Sequence, residues 1–481
     1  MLARALRFSL VFLALSTIAH AAKLPSTFNG FVTAVAPPGQ FSVGTRQVTW
    51  NPKVTRIYQM EQGTEVDASA TRAISLGAYL HVEGKFNKQS GKYLATSIGF
   101  LGPDETETRK ISGLGLIEEE PQLRSDRSGA IGTLWVDGYP LQVTPQTKLL
   151  ADDGKPFPID LIRPNVWAYF HAVRQPDGSI EAGSITFEPN AVTGDEVKFR
   201  DKSEPEIDLP DYDKHAPGKI KFHYRGTPSI PWALDILPDK TIQDYVTKVG
   251  ESLIPQYQKN LPASDSTKIN FRFYVVERPS RWKEVLNDAS ATDGGVIVIP
   301  DNVLAALDNE AQLAAVLSNC IGATLEKQSY VHRTRLALHN DLSWAMMGGL
   351  YGSSVAIPNA IEANRLMQQL NEQASRIGLR YMLDAGYDIR EAPFAWRAAA
   401  NKDAENPQPG DYTPSSFEQS VMSDLYFNYA SIDYSRLKTN REAYQRMVAD
   451  LRRDDPKLPK AKHRSENLKE AMSQSAMQGS V

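Results

Sequence analysis

The chain has 481 residues, a formal net charge of −4 at pH 7 and a single cysteine, Cys320. Its length predicts about two to four domains, because one hydrophobic core rarely serves more than about 250–300 residues. A mildly acidic chain without a basic block is repelled by phosphates, which argues against nucleic acid as a partner. One cysteine excludes an intrachain disulfide and a cysteine-based metal site.

The N-terminus has the pattern of an export signal. Arg4 and Arg7 precede an apolar run over residues 8–19, and small residues at 19 and 21 form a signal-peptidase site. The run is shorter than the roughly 20 apolar residues of a transmembrane helix, and no later segment reaches that length. We expect a signal peptide over residues 1–21 and a periplasmic or secreted protein that is not integral to the membrane. The alternative is a retained N-terminal anchor.

Residues 26–189 have the pattern of β-structure in two similar units. Short alternating apolar runs are separated by Gly, Pro, Asn and Asp turns. A turn followed by a strand with Ala before a closing Ile recurs at 91–98 and 178–185, which indicates a repeat. A meander of this kind hides its edges best by curling into a barrel. We therefore predict two small all-β barrels, module 1 (26–104) and module 2 (109–189), which resemble the OB-like modules of exported bacterial proteins.

Large aromatic residues in these modules have two interpretations. They form a face on which a ligand stacks, or they fill the barrels and pack one barrel on the other. The residues concerned are Trp50, Tyr79, Trp135 and Trp167. The first interpretation predicts that the modules bind a glycan or another component of the cell envelope.

The remainder of the chain divides into three segments. Residues 190–217 are rich in Asp, Glu, Lys and Pro and predict an acidic linker. Residues 218–452 predict a mainly helical α+β domain, with strands at 270–276 and 295–300 and helices dominating from 303. Its first helix has an apolar face made by Ile242, Tyr245, Val246, Val249 and Leu253. The polar tail, 453–481, is predicted to be disordered.

Two motifs in the predicted α+β domain carry the functional argument. Residues 309–317 read Asn-Glu-Ala-Gln-Leu-Ala-Ala-Val-Leu and follow the predicted strand at 295–300. Residues 371–378 read Asn-Glu-Gln-Ala-Ser-Arg-Ile-Gly, and Asp-Ala-Gly-Tyr-Asp follows at 384–388. Together they resemble the HtpX-like and CAAX-prenyl-peptidase family of zinc metallopeptidases, metallopeptidase family forty-eight. The resemblance implies a zincin-like fold for this domain.

The resemblance also implies where a zinc site would lie. In that family two His, four residues apart on one helix, bind zinc beside a Glu that acts as general base, and a later helix supplies a Glu ligand and an Asp that orients a ligand His. This chain has other residues at all of these positions. They are Asn319 and Ala323 for the two His, Cys320 for the base, Asn371 for the Glu ligand and Ser375 for the Asp.

The substituted positions predict a domain without zinc. Amide and methyl side chains do not form a zinc site, and a one-residue slip that places Glu372 at the ligand position supplies one carboxylate alone. Cys320 as a nucleophile would need a nearby His, and the motif contains none. His332 and His339, seven residues apart, are better explained as exposed polar positions.

Three hypotheses for function follow. The first is a zinc-less pseudopeptidase that binds extended or unfolded polypeptide, or an envelope protein, by adding a strand to a sheet edge. The predicted edge strand consists of Gly294, Gly295, Val296, Ile297, Val298 and Ile299; the alternative is that it is simply a core strand. The second hypothesis is an active zinc metalloendopeptidase with non-standard ligands. The third is ligand binding by the β modules.

Overall fold

A computed structural model describes residues 26–100, 110–222, 233–277, 289–331, 356–399 and 421–459, with short gaps in the first two and the last of these ranges. The predicted signal peptide, both histidines considered above and most of the predicted tail lie outside the described residues. Within them, every helix is too short or too polar to cross a membrane.

Module 1 forms a mixed β-sheet of seven strands. The strands are β1 (Thr27–Ala36), β2 (Gln40–Val43), β3 (Arg46–Thr49), β4 (Arg56–Glu61), β5 (Thr64–Asp67), β6 (Tyr79–Asn87) and β7 (Lys92–Phe100). Their order is β3-β2-β1-β6-β7-β4-β5, and β3 also pairs with β7. The inward residues alternate along the strands, as expected for a sheet with one buried face, and Val32, Val48, Leu80 and Ile98 lie in this core.

Module 2 forms a second mixed sheet of seven strands. The strands are β8 (Lys110–Leu116), β9 (Gln122–Asp126), β10 (Gly129–Val136), β11 (Tyr139–Val143), β12 (Lys148–Ala151), β13 (Val166–Arg174) and β14 (Ile180–Pro189). Their order is β8-β13-β14-β11-β10-β9, and β12 pairs with β14. A bridge between Ile117 and Val136 links the end of β8 to β10.

The two sheets repeat one pairing scheme, so the predicted repeat is present in the structure. The parallel pair β3–β7 in module 1 corresponds to the parallel pair β11–β14 in module 2, and β4–β7 corresponds to β12–β14. Both long hairpins shift register at the same place, between Glu83 and Gly84 in β6 and between His171 and Ala172 in β13. Position-by-position equivalence between the modules follows from these registers.

The two predicted β modules are confirmed as β-sheets, but their closure into barrels is not confirmed. In the described residues of both modules we find mixed sheets and no closed barrel. The pairing of β3 with β7 is short, because it joins only Val48 to Tyr93 and Thr49 to Leu94.

The segment predicted as an acidic linker, 190–217, contains regular secondary structure. It contains helix α1 (Gly194–Ser203) and strand β15 (Glu206–Asp208). The Thr193 hydroxyl caps α1 by accepting the Glu196 N–H at 3.2 Å. The Glu196 carboxylate is buried between Arg200, at 2.5 Å, and Lys327, at 2.9 Å. These charges therefore order the segment by pairing with one another and with a distant lysine.

A third sheet of six strands follows. It adds β16 (Gly218–Lys221), β17 (Ala233–Ile236), β18 (Arg272–Val276), β19 (Ser290–Ala291) and β20 (Val296–Pro300) to β15, in the order β15-β16-β17-β18-β20-β19. Strands β18 and β20 confirm the two strands that the sequence predicts here. They pair in parallel, with Phe273 opposite Ile297.

Helices pack against this sheet. They are α2 (Lys240–Leu253), α3 (Gln256–Asn260), α4 (Asp301–Ala306), α5 (Glu310–Leu325), α6 (Ala356–Asp384), α7 (Ala392–Ala399) and α8 (Arg441–Asp454). The predicted apolar face of α2 is confirmed: Ile242, Val246, Val249 and Leu253 are buried, and Tyr245 packs beside them. Helix α8 includes Arg453 and Leu458 is buried, so the predicted disordered tail begins too early.

Candidate functional site

Helices α5 and α6 approach each other closely along small residues. A Cβ atom added to Gly322 would lie 3.1 Å from the Ala374 carbonyl oxygen. One added to Gly378 would lie 2.9 Å from the Ser318 hydroxyl. Because no larger side chain separates the helices at these points, their backbones are nearly in contact and their relative position is fixed.

The five substituted positions lie on this helix pair. Asn319 and Ala323 are one turn apart on α5, and Asn371 and Ser375 are one turn apart on α6, so each pair shares a face of its helix. Cys320 and Ser375 are buried, and the other three positions are half-buried. The structure therefore places both segments that the sequence singled out on adjacent, packed helices.

The side chains at these positions do not form a zinc site, because the Cys320 thiol alone would supply one ligand. The Asn319 Nδ2 atom is buried without a hydrogen-bond partner, and an amide nitrogen donates hydrogen and is not a metal ligand. The Ala323 methyl group offers no ligand atom. In the described ranges, no group of three or more His, Cys, Asp or Glu residues is placed to hold a metal ion.

Glu310, at the start of α5, connects the two sequence motifs. Its Oε1 atom accepts the Tyr387 hydroxyl at 2.9 Å and the Asn440 amide at 2.6 Å, and its Oε2 atom accepts the Tyr245 hydroxyl. Burial raises the pKa of Tyr387 and of Tyr245, and the bond to Glu310 raises both further, so both hydroxyls stay protonated and donate. Sequence reasoning identified both motifs but not this contact between them.

Strand β20 has a partner on each side, which corrects the prediction that it is an edge strand. All of its residues are buried, with β18 on one side. On the other side Ser290 pairs with Val298 and Ala291 with Ile297, so β19 is the outermost described strand. Gly294 and Gly295 form the turn between β19 and β20, and Gly295 has a φ of +87° that favours glycine.

Module 2 docks on α6 through the turn between β10 and β11. The Arg376 guanidinium donates to the Asp137 carboxylate at 2.8 Å and to its carbonyl oxygen at 3.1 Å, and lies 4.5 Å from the centre of the Tyr139 ring. Asp137 and Gly138 have φ values of 56° and 68°. An Asp-Gly pair between two strands was the available sequence signal for this tight turn, but nothing local identified its partner.

Trp135 lies in the same interface. Its ring stacks on Tyr429, with centroids 5.7 Å apart, and the Arg380 guanidinium lies 4.8 Å from it. Trp135 therefore packs module 2 on the α+β domain, a role that neither interpretation of the aromatic residues included. Trp50 packs against the module 1 core, and Trp167 donates to the Asn190 side chain at 3.1 Å. The Tyr79 side chain lies outside the described side chains.

Two carboxyl groups are buried where module 2 meets α5. Glu326 accepts the Leu116 N–H at 3.1 Å, and Glu118 accepts the Gly138 N–H at 2.5 Å. The second oxygen of each carboxyl is buried without a hydrogen-bond partner. Burial raises the pKa of Glu118 from 4.5 to about 8, and burial raises the pKa of Glu326 well above its ordinary value. Burial therefore favours the neutral form of both carboxyls.

Comparison with known proteins finds a family match for module 1. Residues 29–99, which lie in module 1, match a family model described as a domain of unknown function (DUF5666). A search of curated proteins finds no match to the chain.

Proposed function

We propose that residues 218–452 form a zincin-like pseudopeptidase domain that binds extended polypeptide in the cell envelope without cleaving it. The observation that carries the proposal is the helix pair α5–α6. Its two family-like motifs contact each other through Glu310 and Tyr387, whereas the ligand positions between them hold no zinc-binding side chain.

The substitutions suit a domain that is stable without metal. Loss of one zinc ligand would leave the remaining His and Glu side chains buried without partners, which costs several kcal/mol. Here all five positions have changed together, and the adjacent Gly322–Ala374 and Gly378–Ser318 contacts bring the helices close. A coordinated replacement of this kind is close to neutral for stability.

The outer side of β19 is the proposed binding edge. Thr292 donates its N–H inward to the Val296 carbonyl oxygen at 2.9 Å. Backbone groups alternate in direction along an antiparallel edge strand, so the preceding Ala291 N–H points away from β20. An extended peptide that pairs with this side gains main-chain hydrogen bonds without requiring a particular sequence.

Two measurements test the proposal. The metal content of the mature protein, measured by mass spectrometry after dialysis against trace zinc, is expected to be near zero, with no change in unfolding on addition of a chelator. Binding of fluorescein-labelled, reduced and carboxymethylated lactalbumin, measured by anisotropy, is expected for the wild type. Ala291→Pro removes the outward N–H and is expected to weaken binding about tenfold or more, whereas Ala291→Ser keeps it.

The opposite results are equally informative. About one zinc per chain with chelator-sensitive cleavage of the same probe establishes the alternative, an active metalloendopeptidase with ligands outside the family positions. Equal binding by the Pro and Ser variants contradicts β19 as the binding edge. Absence of probe binding by the wild type contradicts the polypeptide-binding function.

The β modules support a second candidate function. We propose that both are OB-like and that module 2 is a diverged copy of the domain matched in module 1. The outer face of β8 and β13 in module 2 exposes Leu114, Tyr169 and Val173, with Tyr169 edge-on to His171 at 4.7 Å. Aromatic and apolar side chains on an exposed sheet suit a glycan or another envelope ligand. Loss of cell-wall glycan binding in Tyr169→Ala, tested by co-sedimentation, would support this candidate.

A further inference from the structure

We propose that the docking of module 2 on helices α5 and α6 depends on pH, because it buries the neutral carboxyls of Glu118 and Glu326 and weakens when these carboxyls ionise. The inference is independent of the polypeptide-binding function. It concerns the docking interface, by which we mean the contacts of Leu116, Glu118, Asp137 and Gly138 with Glu326 and Arg376.

The geometry joins the two carboxyls to the docking contacts. Glu326 belongs to the end of α5 and accepts an N–H of module 2, while Glu118 holds the N–H of Gly138, whose turn packs on α6. A Cβ atom added to Gly138 would lie 2.5 Å from the Cβ of Arg376. Both carboxyls are almost inaccessible, with Glu118 4% and Glu326 3% exposed, so a charge on either must be carried without water.

The surrounding charges do not compensate for ionisation. Arg376 is paired with Asp137 at 2.8 Å, and Arg380 with Glu119 at 2.6 Å. The groups that act on Glu118 are Asp137, Glu119, Arg380, Tyr257, Tyr381 and Tyr429. Those that act on Glu326 are Asp137, Glu118, Lys327, Tyr257 and Tyr381. Because Lys327 is itself paired with Glu196 at 2.9 Å, the nearby cations already have partners and the acids repel one another.

The direction of the pH effect follows from the raised pKa values. If the pKa of a carboxyl is higher in the docked than in the undocked state, its full contribution to the docking free energy is present below its ordinary pKa of 4.5. That contribution is lost as pH rises toward about 8, the pKa of docked Glu118. Each pKa unit corresponds to about tenfold in the docking equilibrium, so the loss across this range is on the order of a hundredfold or more.

Hydrogen exchange of the mature protein tests the proposal directly, because the Leu116 and Gly138 amides are the donors to the two carboxyls. After correction for the intrinsic pH dependence of exchange, their protection is expected to fall at least about a hundredfold between pH 5 and pH 8.5. The double variant Glu118→Gln, Glu326→Gln keeps both acceptor oxygens without the charge and is expected to remain protected at pH 8.5. The control Glu120→Gln changes an exposed neighbour and is expected to behave as wild type.

Two outcomes would overturn the proposal. In the first, corrected protection in the wild type is unchanged across this pH range, or falls equally in the double variant. In the second, a chelator at pH 6 removes the protection as effectively as alkali, which means that a bound cation and not a proton neutralises the carboxyls. The wild-type pH series gives a result even if the double variant does not fold.

Discussion

Modules 1 and 2 share their strand pairings but differ at the positions that dock. The registers make Thr33 equivalent to Glu118, Ser42 to Trp135 and Arg46 to Tyr139. The Asp-Gly turn of module 2 corresponds to Gly44 and Thr45 in the sequence of module 1. The cores of both modules consist mainly of apolar residues, and the pairing scheme is the same although these docking positions differ. Docking of module 2 therefore depends on a few positions that differ between two modules with the same pairing scheme.

The largest expected effect comes from Arg376, which forms a buried ion pair with Asp137. Arg376→Ala leaves the buried Asp137 without its partner, and breaking a buried ion pair from one side costs about 3–5 kcal/mol. Chemical denaturation at pH 8 is expected to show this loss. The loss should be smaller at pH 5, because burial already raises the pKa of Asp137 and protonation of the unpaired carboxyl removes its charge.

An exposed ion pair provides the control for Arg376. Arg453→Ala removes a pair with Asp450 in which both side chains are more than half exposed, at 69% and 53%, and its effect is expected to be close to zero. If both variants unfold at the same denaturant concentration, Arg376 does not hold module 2 in place and the comparison between the modules loses its main support.

A structural feature can be predicted from the sequence when the residues that determine it lie close together along the chain. The repeat and strands β18 and β20 were predictable, because alternation and turn residues act within a few positions. The docking of module 2 was not, because Arg376 and Asp137 are 239 residues apart. The helix in the linker segment was not predictable for the same reason: Glu196 is buried against Lys327, 131 residues away, and composition alone indicated a solvated segment.

The features of the candidate site also differ in whether they have a local sequence signal. The absence of zinc ligands stays a prediction from the motifs, in which each expected ligand position follows from spacing along one helix. Strand β20 was misassigned to an edge because its outer neighbour, β19, has only two residues and no period to detect. The carboxyls Glu118 and Glu326 gave no sequence signal, since a Glu near the end of a strand or helix is normally exposed and becomes unusual only when two domains bury it.

The turn of module 2 gives the next largest effect. Gly138→Thr introduces the residue found at the equivalent position of module 1. The new side chain meets the Arg376 Cβ at 2.5 Å and is strained by a φ of +68°, which together cost roughly 2–4 kcal/mol. Gly154→Thr is the control, because Gly154 has a φ of +78° but nothing within 4 Å of an added Cβ, so only the backbone strain of about 1–3 kcal/mol is expected in thermal unfolding. Equal losses in the two variants would mean that the contact of Gly138 with Arg376 does not contribute.

The smallest effect isolates the aromatic contact. Trp135→Ser again introduces the module 1 residue, and removes the stack on Tyr429 and the cation–π contact with Arg380. Trp135 is partly buried, so we expect a loss of about 1–3 kcal/mol in the free energy of unfolding, together with faster exchange at the Leu116 amide. Tyr169→Ser removes an aromatic side chain that is 45% exposed on the same module, and should change neither quantity. An unchanged Leu116 exchange rate in Trp135→Ser would mean that this ring stabilises the α+β domain without holding module 2 on it. In that case docking would depend on the remaining contacts, among them those of Arg376 and the two carboxyls.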